Sequence, residues 1–466
     1  MLIIFLDLYL KKANTRVMVL SLAYAILASS YEFSNMMQPY LLVYMQAAEM
    51  KKRAVTKIET ENPEDNSYVS HAPCVSLEPL YNNLSINTFL NSKEQKREKK
   101  MMRGYAFIIV AVVASVIIQQ PELVNGQARV PAMFVLGDSL VDVGNNNFLV
   151  ASIARANYFP YGIDLNLRPT GRFSNGMNFI DLLAQLLGIS SPPPFADPTT
   201  SGNRILGGVN FASAAAGILD ESGQNYGDRF TMNRQVLNLG TTLSQLRTMM
   251  SPQNLTDYLA RSLVILVFGS NDYINNYLMP SLYSSSLRYR PPEFANLLLS
   301  QYARQLLTLY SLGLRKIYIT GVAPLGCIPN QRATSVGPPG RCVDAVNEIL
   351  GTFNQGIKSI VDQLNQRLPG AIYVYGNTYG AFGDMLNNPA AFGFSVVDRA
   401  CCGVGRNQGQ ITCLPMQNPC PNRSQYLFWD AFHPTQTALS VLARRAFYGP
   451  PIDAYPVNIQ QMTLLH

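Results

Sequence analysis

The chain has 466 residues, of which 48% are hydrophobic and only 14% are charged. An average globular chain has about 25% charged residues, so this composition excludes a long disordered acidic or basic tail. The net charge of +7 is not gathered into a basic stripe, which argues against nucleic-acid binding. No apolar run reaches the roughly 20 residues that a membrane-spanning helix needs, so we expect no stable membrane span.

The start of the chain resembles a leader more than a folded domain. A charge run over residues 93–100 is followed by Met101, an apolar run over residues 106–118 and small residues near Gly126. A secretory signal peptide typically has a positively charged flank, a short apolar stretch and small residues at its cleavage site. A type II membrane anchor or a buried helix is the alternative for the apolar run.

These features divide the chain into three parts. A signal peptide begins at a chain's own start, and this one begins near Met101. We therefore predict an unmatched extension over residues 1–100, which is disordered or the product of a mis-assigned start codon. The signal peptide takes residues 101–127, and one folded domain takes residues 128–466.

Cysteine usage agrees with export. Cys74 lies in the extension, and an even set of six lies in the folded part: Cys327, Cys342, Cys401, Cys402, Cys413 and Cys420. Six cysteines in an exported chain indicate disulfides, with 15 possible pairings. The alternative is a zinc site, but the paired C-x-x-C of structural zinc is missing. The sequence favours a Cys327–Cys342 bridge and one or two bridges among the last four. Asn254 and Asn422 stand in N-x-S/T triplets, which are glycosylation acceptors if the chain is secreted.

The elements of the folded part alternate in type along the chain. Near-continuous apolar runs predict strands over residues 132–136, 263–268, 316–320 and 371–375. Helix-length segments lie between and after them, over residues 177–187, 294–312, 343–368 and 435–447. This alternation predicts an α/β fold whose parallel sheet is buried on both faces. Ligands bind such sheets beyond the carboxyl ends of the strands, so the loops that follow the strands are the place to look for a site.

Histidine is scarce, which narrows the choice of a catalytic base. Of the three histidines, only His433 lies inside the predicted domain and away from its terminus. Asp430 precedes it by three residues, a spacing that one turn brings into contact, and a carboxylate there would orient the imidazole. The alternative is that Asp430 caps the helix after it and His433 only packs beside that helix.

Ser139 follows the first predicted strand within Gly-Asp-Ser-Leu, where a hydroxyl would face the crevice. It is not the G-x-S-x-G elbow, since Val141 stands two residues later. Alone this motif indicates a turn, but two other segments of the chain offer the hydrogen-bond donors that acyl transfer needs. Asn271 follows the second strand and offers a side-chain amide, and residues 208–217 can turn closely enough to offer a main-chain N–H to an oxyanion.

The sequence resembles the plant GDSL-type esterase/lipases of the SGNH hydrolase superfamily, from about Val130 to about Ala446. The matching blocks are residues 134–147 (FVLGDSLVDVGNNN), 169–176 (PTGRFSNG), 208–217 (GVNFASAAAG), 268–272 (FGSND), 324–327 (PLGC) and 428–434 (FWDAFHP). The resemblance implies a three-layer α/β/α sandwich with a central parallel sheet, the flavodoxin-like SGNH hydrolase fold.

The resemblance also assigns the site. It implies that Ser139 is the nucleophile, His433 the base and Asp430 its orienting acid. The N–H of Ser139, the amide of Asn271 and a main-chain N–H at Ala214 would form the oxyanion hole. The superfamily has glycine where this chain has Ala214. Alanine keeps the N–H but adds a methyl group, which matters if the backbone there needs a positive φ.

The function that follows is a secreted carboxylic ester hydrolase that works through an acyl-enzyme and needs no metal or cofactor. The family resemblance adds the cell wall or apoplast as its location. An acyltransferase that uses an alcohol acceptor would have the same site residues, and a catalytically silent secreted binding protein would lack one of them. A lipid, a cutin-like polyester, an aryl ester and an acetylated polysaccharide all remain open as substrates.

Overall fold

The computed structural model describes residues 130–335 and 340–465. The predicted extension and signal peptide, with Cys74, lie outside the described residues. Within those two ranges, no helix is long and apolar enough to cross a membrane.

A mostly parallel sheet forms the centre of the described domain. The strands are β1 (Met133–Gly137), β2 (Leu263–Val267), β3 (Lys316–Thr320), β4 (Ile372–Gly376), β5 (Val396–Ala400), β6 (Tyr426–Phe428) and β7 (Ala454–Tyr455). The order in the main sheet is β1-β2-β3-β4-β7, while β5 and β6 form a separate parallel pair. Strands β1 to β4 are parallel and lie within one residue of the predicted runs. The short β7 runs antiparallel to β4 at the sheet edge and was not predicted.

Helices cover both faces of this sheet. The numbered helices are α1 (Phe179–Leu187), α2 (Met232–Met249), α3 (Pro252–Arg261), α4 (Pro291–Ser311), α5 (Gly351–Arg367), α6 (Thr378–Asn387), α7 (Gln436–Tyr448) and α8 (Ile459–Leu464). Other short α-helical segments are Ser270–Asp272, Ser285–Arg288, Pro329–Thr334 and Asp344–Glu348. The predicted helices over 177–187, 294–312 and 435–447 correspond to α1, α4 and α7. The helix predicted over 343–368 is divided in two, because a turn at Ile349 and Leu350 separates Asp344–Glu348 from α5.

The side chains of the strands explain the three layers. Successive residues of a strand point to opposite faces, and both faces of β1 are fully buried. Phe134 and Leu136 belong to the core that includes α2, α3, α4 and α5. Met133 and Val135 belong to the core that includes α1, α7 and α8. The chain therefore has the predicted three-layer α/β/α fold, and its continuous apolar strands are those of a sheet covered on both sides.

Three disulfides confirm the expected use of cysteine and exclude the zinc alternative for these six residues. The pairs are Cys327–Cys342, Cys401–Cys420 and Cys402–Cys413. Cys401, Cys402 and Cys413 pack with Tyr161 and Trp429 in a small core of their own. Closing a loop of about 15 residues stabilises a fold by roughly 3 kcal/mol. The two bridges near the carboxyl end therefore fix the segment that leads into Asp430.

Candidate active site

The structure brings Ser139 and His433 together across 294 residues of sequence. Ser139 follows the carboxyl end of β1, and its Oγ lies 2.7 Å from Nε2 of His433. The amide of Asp138 continues the ladder by donating to the carbonyl of Val267, and the chain then turns back as Val141 donates to the carbonyl of Asp138. This turn places the serine hydroxyl at the rim of the sheet, half-buried and facing the imidazole.

Gly137 makes that turn possible. A Cβ at this position would lie 2.4 Å from Cγ2 of Val141 and 2.8 Å from the carbonyl oxygen of Val267. Both distances are well below van der Waals contact, so any side chain at this position would push the turn off the end of β1. Close packing therefore explains why glycine stands two residues before Ser139 in this motif.

The second ring nitrogen of His433 is held by Asp430. Nδ1 lies 2.8 Å from Oδ1 and 2.9 Å from Oδ2 of the carboxylate. An ionised carboxylate only accepts, so Nδ1 carries the proton and Nε2 is left as the acceptor that faces Ser139. Asp430 does not cap the next helix, because the hydroxyl of Thr435 takes that place by accepting from the amide of Ala438.

The surroundings of Asp430 keep it ionised although it is fully buried. Burial by itself raises the pKa of this carboxyl, but His433 and the hydrogen bonds from Tyr161 and the Phe432 amide hold the pKa below its usual value. The amide of His433 donates to Oδ1 as well. A buried carboxylate with this many donors is stable as an anion.

Tyr161 is a member of this network that the sequence reasoning missed. Its hydroxyl donates to Oδ2 of Asp430 at 2.6 Å, across 269 residues. The ring is fully buried and makes edge contacts with Phe173 and Trp429. The ring of Phe173 also lies 5.0 Å from the imidazole of His433. Phe173 and Trp429 fall within the matching blocks 169–176 and 428–434, whereas Tyr161 lies outside every block and no local pattern marked it.

Asn271 reaches the same site from the end of β2. It lies in the short helix Ser270–Asp272 and lines the cleft together with Ser139. Its Oδ1 accepts from Nδ2 of Asn275 at 2.6 Å, and its own Nδ2 donates to the carbonyl of Ala216 at 3.0 Å. These two bonds fix which end of the amide is the donor. The second N–H of Nδ2 has no acceptor among residues 130–335 and 340–465.

The structure does not bring Ala214 into the lining of the cleft. The Ala214 N–H donates to Oδ2 of Asp142 at 3.2 Å and to Oδ1 of Asn146 at 3.1 Å. The positive φ in this segment falls on Ala215, at 66°, rather than on Ala214. The Ala214 N–H is therefore occupied in this conformation. Its service as an oxyanion donor stays a prediction, which requires this N–H to leave Asp142 and Asn146.

One cleft joins these residues. It has a volume of about 1090 Å³ including the part open to solvent, and Ser139, Asn271 and His433 line one end. Most of the remaining wall is apolar. Among the described residues there is no cluster of three His, Cys, Asp or Glu side chains with the spacing of a metal site.

Asp138, beside the predicted nucleophile, gives the domain a pH-dependent stability. Burial raises its pKa to about 7, although the Leu140 amide and His433 act in the opposite direction, and its Oδ2 has no partner among the described residues. The unfolded value is about 3.9. Between that pH and about 7, the folded state therefore keeps a proton on Asp138 that the unfolded chain loses. The stability from this group is full below pH 4 and is lost as the pH rises through 7.

We expect Asp138→Asn to flatten this dependence. Between pH 5 and pH 8 the wild type should lose roughly 2–3 kcal/mol more of its free energy of unfolding than the variant does. Urea unfolding at the two pH values measures the difference. Asp257→Asn, which changes an exposed carboxylate on α3, is the control and should track the wild type. Equal slopes for wild type and Asp138→Asn would contradict the burial argument.

A serine, a histidine and an aspartate in this order of contacts, at the carboxyl edge of a three-layer α/β/α sheet, define the class of the protein as a serine hydrolase. Residues 133–446 match the profile of the GDSL-like lipase/acylhydrolase family. The chain belongs to this family, as the resemblance of its motifs predicted.

Similar proteins from Arabidopsis thaliana carry the same family name. The chain is 80% identical over 372 residues to GDSL esterase/lipase At1g71250, which covers 80% of this chain and 99% of the relative. It is 53% identical over 342 residues to GDSL esterase/lipase At5g08460, with 72% and 89% coverage. A third relative, GDSL esterase/lipase At1g29670, is 51% identical over 344 residues, with 73% and 93% coverage. The family and the relatives therefore give carboxylic ester hydrolysis as the activity, and the contacts of Ser139, His433 and Asp430 agree with it.

Proposed function

We propose that this chain hydrolyses carboxylic esters through an acyl-enzyme on Ser139, with His433 as general base and Asp430 as the residue that orients it. The observation that carries the proposal is the 2.7 Å contact between Oγ of Ser139 and Nε2 of His433, whose other nitrogen is bonded to Asp430. A nucleophile in contact with a base, and a base oriented by a third group, is the arrangement that activates a serine hydroxyl.

The first step forms the acyl-enzyme. Nε2 of His433 takes the proton of Ser139 as Oγ attacks the ester carbonyl, and the Asp430 carboxylate stabilises the imidazolium that results. The imidazolium then gives this proton to the leaving alcohol as the C–O bond breaks. Water enters in the second step, loses a proton to His433 and attacks the acyl carbon, which frees the acid and returns the proton to Ser139.

The oxyanion of both steps needs donors that already point at it. The N–H of Ser139 and the second N–H of Asn271 Nδ2 have no acceptor among the described residues, which suits them to this role. The Ala214 N–H is the third donor of the family arrangement. It would have to leave Asp142 and Asn146 to serve, and the N–H of the next residue, Ala215, has no acceptor in the described ranges.

A secreted location, in the cell wall or apoplast, fits the proposed activity. Three disulfides are consistent with an oxidising, extracellular compartment. The glycosylation candidates Asn254 and Asn422 are both exposed, as attachment of a glycan requires. The predicted signal peptide over residues 101–127 completes the proposal, and N-terminal sequencing of the mature protein tests it.

Covalent labelling tests the assignment of the nucleophile. A p-nitrophenyl alkylphosphonate should form an Oγ–P bond on Ser139 and release p-nitrophenolate, with a one-to-one mass increase on the peptide that contains Ser139. Ser139→Ala should give no adduct. Ser270→Ala removes another serine that lines the same cleft and should be labelled like the wild type. An adduct on a different residue, or equal labelling of Ser139→Ala, would overturn the assignment.

A further inference from the structure

The cleft that begins at Ser139 extends across the whole parallel part of the sheet. Its lining includes residues that follow each strand in turn: Ser139 after β1, Asn271 after β2, Gly321 after β3 and Asn377 after β4. Neighbouring strands are about 4.8 Å apart, so the path from β1 to β4 is roughly 14 Å long. At about 1.5 Å per C–C bond, which advances an extended chain by roughly 1.25 Å, this length holds about eleven carbons.

The middle of the cleft suits a hydrocarbon chain. Its walls there are apolar side chains from the segments after β2 and β3, from α6, from the end of β6 and from α7: Ile274, Ile328, Phe382, Phe428 and Leu442. Phe382 and Phe428 stack on each other. Burying a methylene group in such surroundings is favourable and carries no directional requirement. This part of the cleft therefore selects for chain length and not for polar groups.

The far end of the cleft, below the carboxyl end of β4, is different. Tyr318 lines it and is 3% exposed, yet its hydroxyl has no hydrogen-bond partner in the described parts of the chain. The hydroxyl lies against Gly376, where a Cβ would be 2.0 Å away. The Thr378 hydroxyl, also in the lining, likewise lacks a partner among residues 130–335 and 340–465. A polar group on so buried a residue normally has a partner, and this hydroxyl faces the cleft, so its place points to a ligand.

The charges at this end decide which polar group fits. Arg445 contacts Oδ2 of Asp384 at 2.6 Å and Oδ1 of Asp453 at 3.1 Å, so one cation faces two carboxylates. Both Arg445 and Asp453 line the cleft. Burial and the charge of Asp453 raise the pKa of the Tyr318 phenol, which keeps it neutral and able to donate. The excess negative charge repels a carboxylate, whereas a neutral hydroxyl can accept from Tyr318 and donate to Asp453.

We propose that the preferred acyl group is a medium-length chain of about eleven carbons with a hydroxyl near its far end, received by Tyr318 and Asp453. The proposal rests on the proposed function, because it places the acyl carbonyl at Ser139. An unsubstituted chain would leave the Tyr318 hydroxyl unpaired, and a site built to bond a substrate hydroxyl discriminates against the analogue that lacks it.

Three p-nitrophenyl esters of equal length test this: dodecanoate, 12-hydroxydodecanoate and the half ester of dodecanedioic acid. The wild type should show a kcat/KM at least about tenfold higher for the hydroxy ester than for dodecanoate, and the lowest value for the half ester. A ratio near one, or a preference for the terminal carboxylate, would overturn the proposal.

Tyr318→Phe removes only the hydroxyl and should bring the ratio of hydroxy ester to dodecanoate close to one. Tyr375→Phe makes the same change on the next strand but on the opposite face, in the other core and outside the cleft, and should keep the wild-type ratio. Thr378→Val serves as a second variant at the same end and should lower the ratio. The ratio within one variant does not depend on how much of it is folded. An unchanged ratio in Tyr318→Phe would overturn the proposal.

Hydrolysis of p-nitrophenyl acetate separates this proposal from the function on which it rests. Acetate does not reach the far end, so Tyr318→Phe should hydrolyse it like the wild type. If acetate hydrolysis depends on Ser139 while the three long esters are hydrolysed alike, only the acyl preference is wrong. If acetate hydrolysis survives Ser139→Ala, the proposed function itself has failed.

Discussion

Ser139→Ala is expected to lower kcat for ester hydrolysis by about 10⁴–10⁶-fold, the range seen when a serine nucleophile is removed from such a site. Without Oγ no acyl-enzyme forms, and His433 has no hydroxyl to deprotonate. The remaining rate enhancement over water comes from the oxyanion donors and from binding alone. KM for p-nitrophenyl esters should change little, since the walls of the cleft stay in place.

The measurement is kcat and KM for a series of p-nitrophenyl esters of increasing chain length, with the variant beside the wild type. Ser139 is half-buried at the rim of the sheet and its hydroxyl contacts His433 rather than the core, so we expect the thermal midpoint to stay within a few degrees. Ser270→Ala should retain wild-type rates and controls for removal of a hydroxyl from the same cleft. Full ester hydrolysis by a folded Ser139→Ala would refute the acyl-enzyme mechanism.

Asp430→Asn is expected to lower kcat by about 10⁴-fold, for a reason that lies in the tautomer of His433. The carboxylate accepts from Nδ1 and leaves Nε2 as the acceptor for the serine proton. An asparagine amide placed against Nδ1 donates instead, which moves the ring proton to Nε2 and prevents it from acting as a base. The amide would also lose the negative charge that stabilises the imidazolium.

Tyr161→Phe is the matched comparison for this variant. It removes one of the donors to Asp430 and leaves the carboxylate, the imidazole and the serine in place. We expect a reduction in kcat of about tenfold and an increase in the pKa of Asp430, because a hydrogen bond to its charged form is lost. Both variants need a thermal unfolding curve, since Asp430 and Tyr161 are fully buried. An Asp430→Asn enzyme that is folded and as active as Tyr161→Phe would show that the carboxylate is not the orienting group.

The local sequence determined the four parallel strands at the centre of this protein. Strand β3 coincides with the predicted run over residues 316–320. A short run of β-branched and aromatic residues between polar segments is stable as a strand that is buried on both faces. The helices α2, α3, α6 and α8 were not predicted. Helix α2 carries several Thr, Asn and Gln residues, and α6 contains Gly380 and Gly383. Packing against the sheet stabilises such helices more than their own propensity does, and packing is not visible in the local pattern.

The sequence also predicted the residue types of the site, since His433 is the one histidine of the domain that lies away from its terminus and the motifs supplied Ser139, Asp430 and Asn271. Only the tertiary structure decided how these groups meet. Cys401 and Cys402 are adjacent, so nothing in their spacing tells which of them pairs with Cys413 and which with Cys420. Tyr161 meets Asp430, and the Ala214 N–H is taken by Asp142 and Asn146, through contacts between segments far apart in the chain. Periodicity and motifs indicate the type of each element and which face a residue takes. A hydrogen bond depends in addition on the relative position of two segments to within about an ångström. The packing of the whole core sets that position.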